Sequence, residues 1–234
     1  MEILVLSNAE AAAARAATMI AEFAAIAIRK RGRFQLAVSG GSTPWVMLGH
    51  LATLSVEWSR VHLFQVDERV APDGDPSRNF THINEVFLSR VPIPPDQIHA
   101  MPVTAEDLGA AAANYEAELR QGFDSPPKLD LIHLGLGQDG HTASLVPGDP
   151  ALDVRNAEVT FTNVYQGHVR LTLTFQAINR ARNILWLATG HDKREMLARL
   201  LNGDRSIPAG RIRGGHATIL TDKAAMGLSG GADA

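Results

Sequence analysis

The fold of this chain is decided by one stretch, Leu129-Asp-Leu-Ile-His-Leu-Gly-Leu-Gly-Gln-Asp-Gly-His-Thr-Ala-Ser-Leu-Val-Pro147. Its first half is apolar with few interruptions, which is typical of a buried strand in a parallel sheet. The glycines that follow turn the chain and place Asp139 and His141 beyond the carboxyl end of that strand. Because open α/β sheets bind their ligands at that edge, the stretch predicts a functional site there.

The rest of the chain alternates between the patterns of strands and helices. Strand-like apolar segments cover residues 2–6, 34–38, 61–66, 98–101, 159–164, 169–174, 184–188 and 218–220. Helical patterns cover residues 9–31, 42–52, 80–90, 105–122, 175–181 and 192–201. This alternation predicts the α/β class, with a mainly parallel sheet covered on both faces.

The composition is that of a folded globular domain. The chain has 234 residues, of which 45% are hydrophobic, enough for one sizeable core. We expect a single domain over residues 1–234, with a flexible tail from about residue 222 to 234. The longest apolar run falls short of a membrane span, and the start of the chain lacks the pattern of a signal peptide.

Cysteine content and net charge narrow the function classes. The chain has no cysteine, which excludes disulfides, thiolate nucleophiles and zinc sites with cysteine ligands, and which agrees with a cytoplasmic location. The formal net charge of −3 gives no general attraction to nucleic acid or to anionic membranes, so we expect neither as a partner. Any anion that binds this chain must therefore be captured locally.

The segment Ser39-Gly-Gly-Ser-Thr-Pro44 leaves a predicted strand and enters a predicted helix. Glycines let a ligand approach the backbone closely, and the free N–H groups at a helix N-terminus favour an anion. The hydroxyl groups of Ser39, Ser42 and Thr43 add donors. The pattern favours a phosphate cradle over a plain capped turn, but it is not a Walker loop because the Gly-Lys-Ser/Thr ending is missing.

Charged residues follow three further predicted strands or turns. Asp67-Glu68-Arg69 ends a strand at the same sheet edge, where a carboxylate can orient an imidazole or a sugar hydroxyl, although an exposed charged turn has the same pattern. Arg170 lies in a predicted strand. Lys193 lies in the first turn of a predicted helix, where the helix dipole disfavours a cation. That position indicates an anionic partner or, equally, a solvated lysine.

His141 differs from the other histidines because it follows Asp-Gly at a strand end. Imidazole is the natural general base near neutral pH, provided that a second group fixes its tautomer. Asp139, Asp67 and Glu68 are all candidates for that second group. The hypothesis from the residues alone is a general base at the carboxyl edge of the sheet.

Three other interpretations of this region fail. Residues 135–140 match the dinucleotide fingerprint, but no long helix and no acidic residue follow at the required positions. Ser144 lacks the G-x-S-x-G elbow of a serine hydrolase. His133 and His141 lie at opposite ends of the strand–loop unit, without the spacing of metal ligands, so no metal site is predicted.

Together these segments resemble the 6-phosphogluconolactonases, which share a superfamily with the glucosamine-6-phosphate deaminases. The resemblance spans residues 2–221 and rests on Ser39-Gly-Gly-Ser-Thr-Pro44, Asp67-Glu-Arg69, Arg78-Asn79, the Gly135–Leu145 block, Arg170-Leu-Thr-Leu-Thr174 and Lys193. It implies a Rossmann-like three-layer α/β/α fold. It also implies hydrolysis of 6-phospho-D-glucono-1,5-lactone to 6-phospho-D-gluconate in the oxidative pentose phosphate pathway, with no metal or cofactor, by a chain expected to be a monomer.

By motif, the resemblance makes His141 the general base, oriented by Asp139 or by Asp67. The substrate-binding residues that it implies are Ser39, Gly40, Gly41, Ser42, Thr43, Glu68, Arg69, Arg78, Arg170 and Lys193. Ser77-Arg78-Asn79 departs from the commoner Asp-Ser-Asn, which leaves open whether Arg78 or Asn79 contacts phosphate. The donors for the oxyanion are also left open, between Arg69 and backbone N–H groups of the glycine-rich loops.

The related deaminases are the main alternative. The resemblance implies that the deaminases have Asp-Glu-Tyr where this chain has Asp67-Glu68-Arg69. It also implies that they carry a ring-opening glutamate where this chain has Val146. Without that glutamate a deaminase fails, so the sequence favours the lactonase. A non-catalytic phosphosugar sensor is a further alternative, but the presence of both His141 and Asp67 argues against it.

Overall fold

The computed structural model of the protein describes residues 1–120 and 126–228. The strands are β1 (Glu2–Leu6), β2 (Phe34–Val38), β3 (Val61–Gln65), β4 (Asp67–Arg69), β5 (Ile98–His99), β6 (Leu131–Gly135), β7 (Val159–Phe161), β8 (Arg170–Leu173), β9 (Ile184–Ala188) and β10 (Ala217–Asp222). The helices are α1 (Ala9–Arg31), α2 (Ser42–Leu51), α3 (Asn79–Val86), α4 (Leu108–Arg120), α5 (Phe175–Arg180) and α6 (Arg194–Leu201).

Seven strands form one parallel sheet in the order β1-β10-β9-β6-β2-β3-β5. The remaining strands form a small antiparallel sheet in the order β4-β8-β7. The predicted mainly parallel sheet is therefore confirmed, and β6, the strand of the opening stretch, lies at its centre. Because β9, β6 and β2 are neighbours in the parallel sheet, the loops that follow their carboxyl ends lie side by side.

Helices cover both faces of the large sheet. One hydrophobic cluster contains residues of α1, α2 and α3, and the other contains residues of α4, α5 and α6. The central strand β6 contributes to both, since Leu131 belongs to the first cluster and Ile132 and Leu134 belong to the second. This alternation is the period of two expected of a strand buried on both faces. The result is the predicted three-layer α/β/α arrangement.

Helix α1 covers the predicted residues 9–31, with Asn8 as its N-cap and Gly32, in the left-handed conformation, as its C-cap. By length and by mean hydropathy (1.5) it is the one helix of the described residues that is long and apolar enough to cross a membrane. An apolar helix from the core of a globular domain meets the same criteria. One side of α1, which includes Ala12, Ala13 and Ala16, is fully buried in the core.

Element boundaries differ from the predictions at two places near the carboxyl edge. Asp67–Arg69 does not continue β3 but forms the separate strand β4, which pairs with β8. Helix α6 begins at Arg194 rather than Asp192, because residues 191–193 form a 3₁₀ turn with Lys193 as its last residue. Helix α4 is described up to Arg120, and the predicted end at Gly122 lies outside the described residues.

The packed part of the chain continues past residue 222. Asp222, the last residue of β10, accepts hydrogen bonds from the N–H groups of Gly190 (3.0 Å) and Ala225 (2.8 Å). Ala225 is buried in the core. Asp222 and Ala225 are thus part of the fold, in contrast to the predicted tail, and residues 229–234 lie outside the described residues.

Candidate active site

A cavity of about 640 Å³ opens at the carboxyl edge of the large sheet. Its walls come from the β2–α2 loop, from β4, from the loop after β6, from the β7–β8 hairpin and from the segment after β9. Of the predicted site residues, this cavity brings together Ser39, Gly40, Gly41, Ser42, Thr43, Asp67, Arg69, Asp139, His141, Arg170 and Lys193. Parallel strands explain the convergence, because their carboxyl ends meet at one edge.

The β2–α2 loop presents an uncapped helix N-terminus to the cavity. Gly41 is the N-cap of α2, and it has no side chain that could accept a hydrogen bond from the first turn. Helix geometry leaves the N–H groups of that turn without partners inside the helix. Ser42 and Thr43 thus do not cap a plain turn, which was the alternative. The free N–H groups of the first turn favour an anion.

A buried histidine supports this loop from below. His133 lies inside β6, and its Nδ1 is 3.1 Å from Oγ of Ser39 and accepts the backbone N–H of Ser39 at 3.4 Å. Full burial lowers the pKa of His133 to about 3, so the ring is neutral at physiological pH. Sequence reasoning considered His133 only as a metal ligand and missed this supporting contact.

The loop after β6 holds the proposed base and a carboxylate against each other. Oδ1 of Asp139 is 2.5 Å from Nδ1 of His141 and also accepts the backbone N–H of His141 at 3.1 Å. The hydrogen bond to His141 is the main reason why the pKa of Asp139 lies well below its usual range. An ionised carboxylate can only accept, so Nδ1 of His141 carries a proton, and in the neutral ring the lone pair is then on Nε2.

Gly137 makes this pairing sterically possible. A Cβ atom at position 137 would lie 2.1 Å from Nδ1 of His141, far inside any real contact distance. The backbone of this loop is closed by hydrogen bonds from the N–H of Gly137 to the carbonyl of His141 (2.8 Å) and from the N–H of Gly140 to the carbonyl of Gly137 (3.1 Å). The glycines thus let the imidazole fold back over its own loop.

Asp67, the other candidate for orienting His141, is engaged elsewhere. Its Oδ2 accepts a hydrogen bond of 2.6 Å from Oγ of Ser144, and its backbone carbonyl accepts one from Nδ2 of Asn79 at 3.0 Å. Asp67 is almost fully buried yet lines the cavity. The geometry leaves the contact to the imidazole with Asp139 and places Asp67 on another part of the wall.

Tyr165 and Gln166 are site residues that sequence reasoning missed. The hydroxyl of Tyr165 donates to Oδ2 of Asp139 (3.0 Å) and lies 3.4 Å from Nδ1 of His141. Nε2 of Gln166 donates to the same hydroxyl at 3.2 Å. Burial and the neighbouring Asp139 raise the pKa of Tyr165. The Gln166-Gly167 turn between alternating strands indicates a hairpin, but nothing in the sequence shows how far its tip reaches.

Two arginines face each other across the small sheet. Arg69 of β4 is directly opposite Arg170 of β8, and both line the cavity. The guanidinium of Arg170 lies over the ring of Tyr165 (5.0 Å) and its Nη2 is 3.4 Å from Oε1 of Gln166. Burial lowers the pKa of Arg170. Like charges in opposed positions repel, so this pair suits an anion between them.

Glu68 and Arg78 do not line the cavity, in contrast to their predicted role. Glu68 is fully buried, and its carboxylate accepts the N–H groups of Asn79 (2.8 Å) and Phe80 (2.7 Å), which begin α3. Arg78 forms ion pairs with Glu68 (3.7 Å) and with Asp73. Asn79 lines the cavity in place of Arg78. A carboxylate at a helix N-terminus is stabilised by the dipole, which explains why Glu68 points away from the ligand space.

Lys193 borders the cavity next to an acidic neighbour. Its Nζ lies 3.0 Å from Oδ2 of Asp192, which also accepts from Nε2 of Gln138 at 2.9 Å. These contacts, with the one from Gln138 foremost, lower the pKa of Asp192. The carboxylate of Asp192 thus balances part of the local positive charge of Lys193. The turn at Gly190, whose N–H donates to Asp222, places Lys193 at the cavity.

No metal site forms in the described part of the chain. Within residues 1–120 and 126–228 no group of three or more histidine and carboxylate side chains has an arrangement that could hold a metal ion.

Comparison with known proteins identifies the family. The sequence model of the glucosamine-6-phosphate isomerases/6-phosphogluconolactonases matches residues 7–221. The chain belongs to this family. The resemblance described from the motifs is thereby confirmed.

Relatives within the family agree in sequence and in fold. The chain is 37% identical over 200 residues to a 6-phosphogluconolactonase of Nostoc, covering 84% of this chain and 83% of the relative. It matches the crystal structure of a 6-phosphogluconolactonase from Thermotoga maritima with a TM-score of 0.84 and 30% identity, covering 94% of this chain and 98% of the other. These matches confirm the predicted fold class.

A family member of the other activity has the same fold. The structure of a monomeric glucosamine-6-phosphate deaminase matches with a TM-score of 0.85 and 21% identity, covering 98% of this chain and all of the other. The fold is therefore common to both reactions of the family. Individual side chains, and not the fold, must therefore distinguish the two reactions.

Proposed function

We propose that the protein hydrolyses 6-phospho-D-glucono-1,5-lactone to 6-phospho-D-gluconate. One observation carries the proposal: a single cavity holds an imidazole whose Nδ1 is fixed by Asp139 at 2.5 Å, together with an uncapped helix N-terminus and Arg170. The first group is suited to activating water, and the others are suited to binding a phosphate. Both ends of a phosphosugar lactone thus find a matching group.

His141 is the proposed general base. Its Nε2 takes a proton from a water molecule as the water oxygen attacks C1 of the lactone, and the carbonyl oxygen becomes an oxyanion. Asp139 keeps the proton on Nδ1 and stabilises the imidazolium that forms. Such general-base catalysis supplies roughly 10²–10⁴-fold in rate.

Collapse of the tetrahedral intermediate then opens the ring. The bond between C1 and the ring oxygen breaks, and the imidazolium returns its proton to that oxygen, which becomes a hydroxyl group. The new carboxylic acid ionises at neutral pH. Of the two kinds of oxyanion donor considered, Arg69 is favoured over Gly137 and Gly140, because each of these glycines has one N–H and it already donates within its own loop. Arg69 gives Nη1 to the carbonyl of Ser77, but a guanidinium has five N–H donors.

The phosphate is proposed to bind at the N-terminus of α2. Ser39, Gly40, Gly41, Ser42 and Thr43 surround this end of the cavity, and Arg170 and Lys193 line the same space as cations. Asn79, rather than Arg78, is the proposed neighbour from the segment before α3. Binding energy from the phosphate holds C1 in place for attack, although the phosphate does not react.

Asp67 is proposed to bind a sugar hydroxyl. Its carboxylate lines the cavity, and Ser144 donates to only one of its oxygens. An ionised carboxylate accepts hydroxyl hydrogens well, so the other oxygen can select the substrate's hydroxyl pattern. The non-catalytic sensor is the less favoured alternative, because the Asp139–His141 pair has no function in mere binding.

The deaminase alternative is disfavoured by one position. Val146, which stands where the deaminases carry their ring-opening glutamate, is a buried apolar side chain. It can neither donate nor accept a proton. The lactone, whose ring opens by attack at C1, needs no such group.

The proposed reaction is tested by making the lactone in situ with glucose-6-phosphate dehydrogenase and following its disappearance with and without the protein. Catalysis well above spontaneous hydrolysis is expected, and no ammonia is expected from glucosamine 6-phosphate. Ammonia release without lactone hydrolysis would establish the deaminase instead. If the protein catalyses neither reaction, the sensor is favoured, and saturable binding of 6-phosphogluconate is then expected.

We further propose that the protein works in the cytoplasm as a monomer, without metal or cofactor. A sequence without cysteine suits a reducing compartment. A solution mass near 25.2 kDa and full activity after dialysis against EDTA are expected. A dimer, or a metal requirement, would contradict this proposal and leave the assigned reaction standing.

A further inference from the structure

A second cavity lies away from the active site. Its volume is about 730 Å³, and it shares no lining residue with the active-site cavity. Asn179 and Arg180 of its wall precede β9, and Arg213 precedes β10. The cavity therefore adjoins the amino ends of these strands, whereas the active site opens at carboxyl ends.

Arginines dominate the wall of this second cavity, which we name the arginine cavity. Among residues 1–120 and 126–228, the cavity is lined by no aspartate or glutamate but by five arginines, namely Arg155, Arg180, Arg205, Arg211 and Arg213. Arg155 pairs with Asp153 (3.5 Å) and Arg180 pairs with Glu158, both from outside the lining. The other three have no carboxylate within ion-pair distance among residues 1–120 and 126–228.

Three of the arginines belong to a segment that the fold holds in place. The guanidinium of Arg211 lies 5.9 Å from the ring centre of Phe175, and its Nε donates to the carbonyl of Arg205 at 3.2 Å. The backbone N–H of Arg213 donates to Oδ1 of Asn179 at 2.7 Å. The turn is tight, since a Cβ at Gly210 would lie 1.9 Å from the carbonyl oxygen of Asp204.

Such a concentration of cations is unusual in a chain whose net charge is −3. A concave surface lined by one sign of charge focuses its field and attracts counter-ions. Guanidinium groups match phosphate oxygens in pairs, and they bind phosphate better than isolated ammonium groups do. The three arginines without a carboxylate partner carry three positive charges, whereas one phosphate monoester carries at most about two negative charges. A single phosphate group therefore does not balance them.

We infer that the arginine cavity binds a soluble small molecule that carries two or more linked phosphate groups. Its volume lies in the range of pockets that bind small molecules. The side-chain amides of Gln176 and Asn179 lie on the same wall. Nε2 of Gln176 donates to the carbonyl of Ala157 and Oδ1 of Asn179 accepts from Arg213, so the other polar atom of each amide is the one suited to the hydroxyl groups of such a ligand. The inference is independent of the reaction proposed for the active site.

Binding is tested on the full chain by isothermal titration with inorganic tripolyphosphate and with ADP, and with inorganic phosphate for comparison. The polyphosphate and the diphosphate are expected to bind saturably and to weaken as salt is raised, and inorganic phosphate is expected to bind at least about tenfold more weakly. Absence of saturable binding of both linked phosphates would overturn the inference.

The location is tested with two charge-matched double variants. Arg205→Ala with Arg213→Ala removes two exposed, unpaired arginines from the cavity, and Arg60→Ala with Arg90→Ala removes two exposed arginines elsewhere. The first is expected to bind tripolyphosphate at least about tenfold more weakly, and the second to bind like the wild type. The first double variant keeps the proposed phosphate site of the active site intact. Unchanged affinity for tripolyphosphate in that variant, or an equal loss of affinity in both double variants, would overturn the inference. All four substituted side chains are exposed and lie outside the active site. Lactone hydrolysis at the wild-type rate therefore serves as the check that each variant is folded.

Discussion

His133 and His141 come from the same strand–loop unit, yet the structure prepares them for opposite purposes. His133 is completely buried under the β2–α2 loop, where burial lowers its pKa to about 3 and leaves it neutral. The side chain of His141 is 23% exposed and is held by an ionised carboxylate. One ring supports the backbone of the phosphate loop, and the other can take and return a proton. The same residue type thus supplies either a fixed hydrogen-bond acceptor or a base, according to its surroundings.

The largest expected effect comes from removing the base. His141→Ala is expected to lower kcat for lactone hydrolysis by about two or more orders of magnitude, because no other group at Nε2's position can accept the proton. His133→Asn, which keeps an acceptor for Ser39, is the matched control and is expected to stay within about tenfold of the wild type. Steady-state kinetics with correction for spontaneous hydrolysis measure both. Equal losses in the two variants would remove the contrast between the histidines.

Displacing the imidazole without deleting it is expected to have the next largest effect. In Gly137→Ala the new Cβ would lie 2.1 Å from Nδ1 of His141, so the ring must move away from Asp139. A loss of at least about tenfold in kcat is expected. Gly49→Ala is the control, since its Cβ meets open space in helix α2. Wild-type activity in Gly137→Ala would show that the position of the ring matters less than its presence.

A smaller effect is expected from the hairpin. Tyr165→Phe removes the hydrogen bond to Oδ2 of Asp139 but keeps the ring beneath Arg170. We expect kcat to fall about three- to tenfold with KM nearly unchanged. Tyr165→Leu also removes the ring, so KM is expected to rise as Arg170 loses its aromatic support. A change in KM alone for Tyr165→Phe would mean that the hydroxyl binds substrate and does not position the Asp139–His141 pair.

The buried histidine is expected to show itself in stability and not in rate. Its pKa is about 3 when folded and about 6.5 when unfolded, so between these values only the unfolded chain binds the proton. The free energy of unfolding therefore falls as pH falls from about 6.5 towards 3, by at most about 1.4 kcal/mol per pH unit from this group.

His133→Asn is expected to make that slope shallower. Burial also lowers the pKa values of His62 and His99, but both remain in the variant, so the difference between the two proteins isolates position 133. Urea unfolding at pH 7, 6 and 5 measures it. Parallel curves for variant and wild type would show that His133 takes up its proton without unfolding.

The contrast between the two histidines also marks how far the sequence could predict the site. The position of His141 followed from local pattern, because a buried strand followed by Gly-rich turns determines which residues reach the carboxyl edge. The roles of Glu68 and Arg78 did not follow, since whether a charged side chain faces a ligand or caps a helix depends on packing with distant segments. Tyr165 was missed for the same reason: its hydroxyl meets Asp139 only through the length and tilt of a hairpin. The fold was predictable because it rests on periodicity, which is local.

The base and the carboxylate that orients it are two residues apart on a single turn, closed by its own backbone hydrogen bonds. The groups proposed to recognise the sugar and its phosphate come instead from other segments, among them the β2–α2 loop and Asp67 of β4. Reactivity and selectivity are thus encoded in separate parts of the gene. Substitutions in those recognition segments can redirect the family's chemistry to another lactone while the reactive turn is inherited intact, which makes those segments the natural place to diversify this protein.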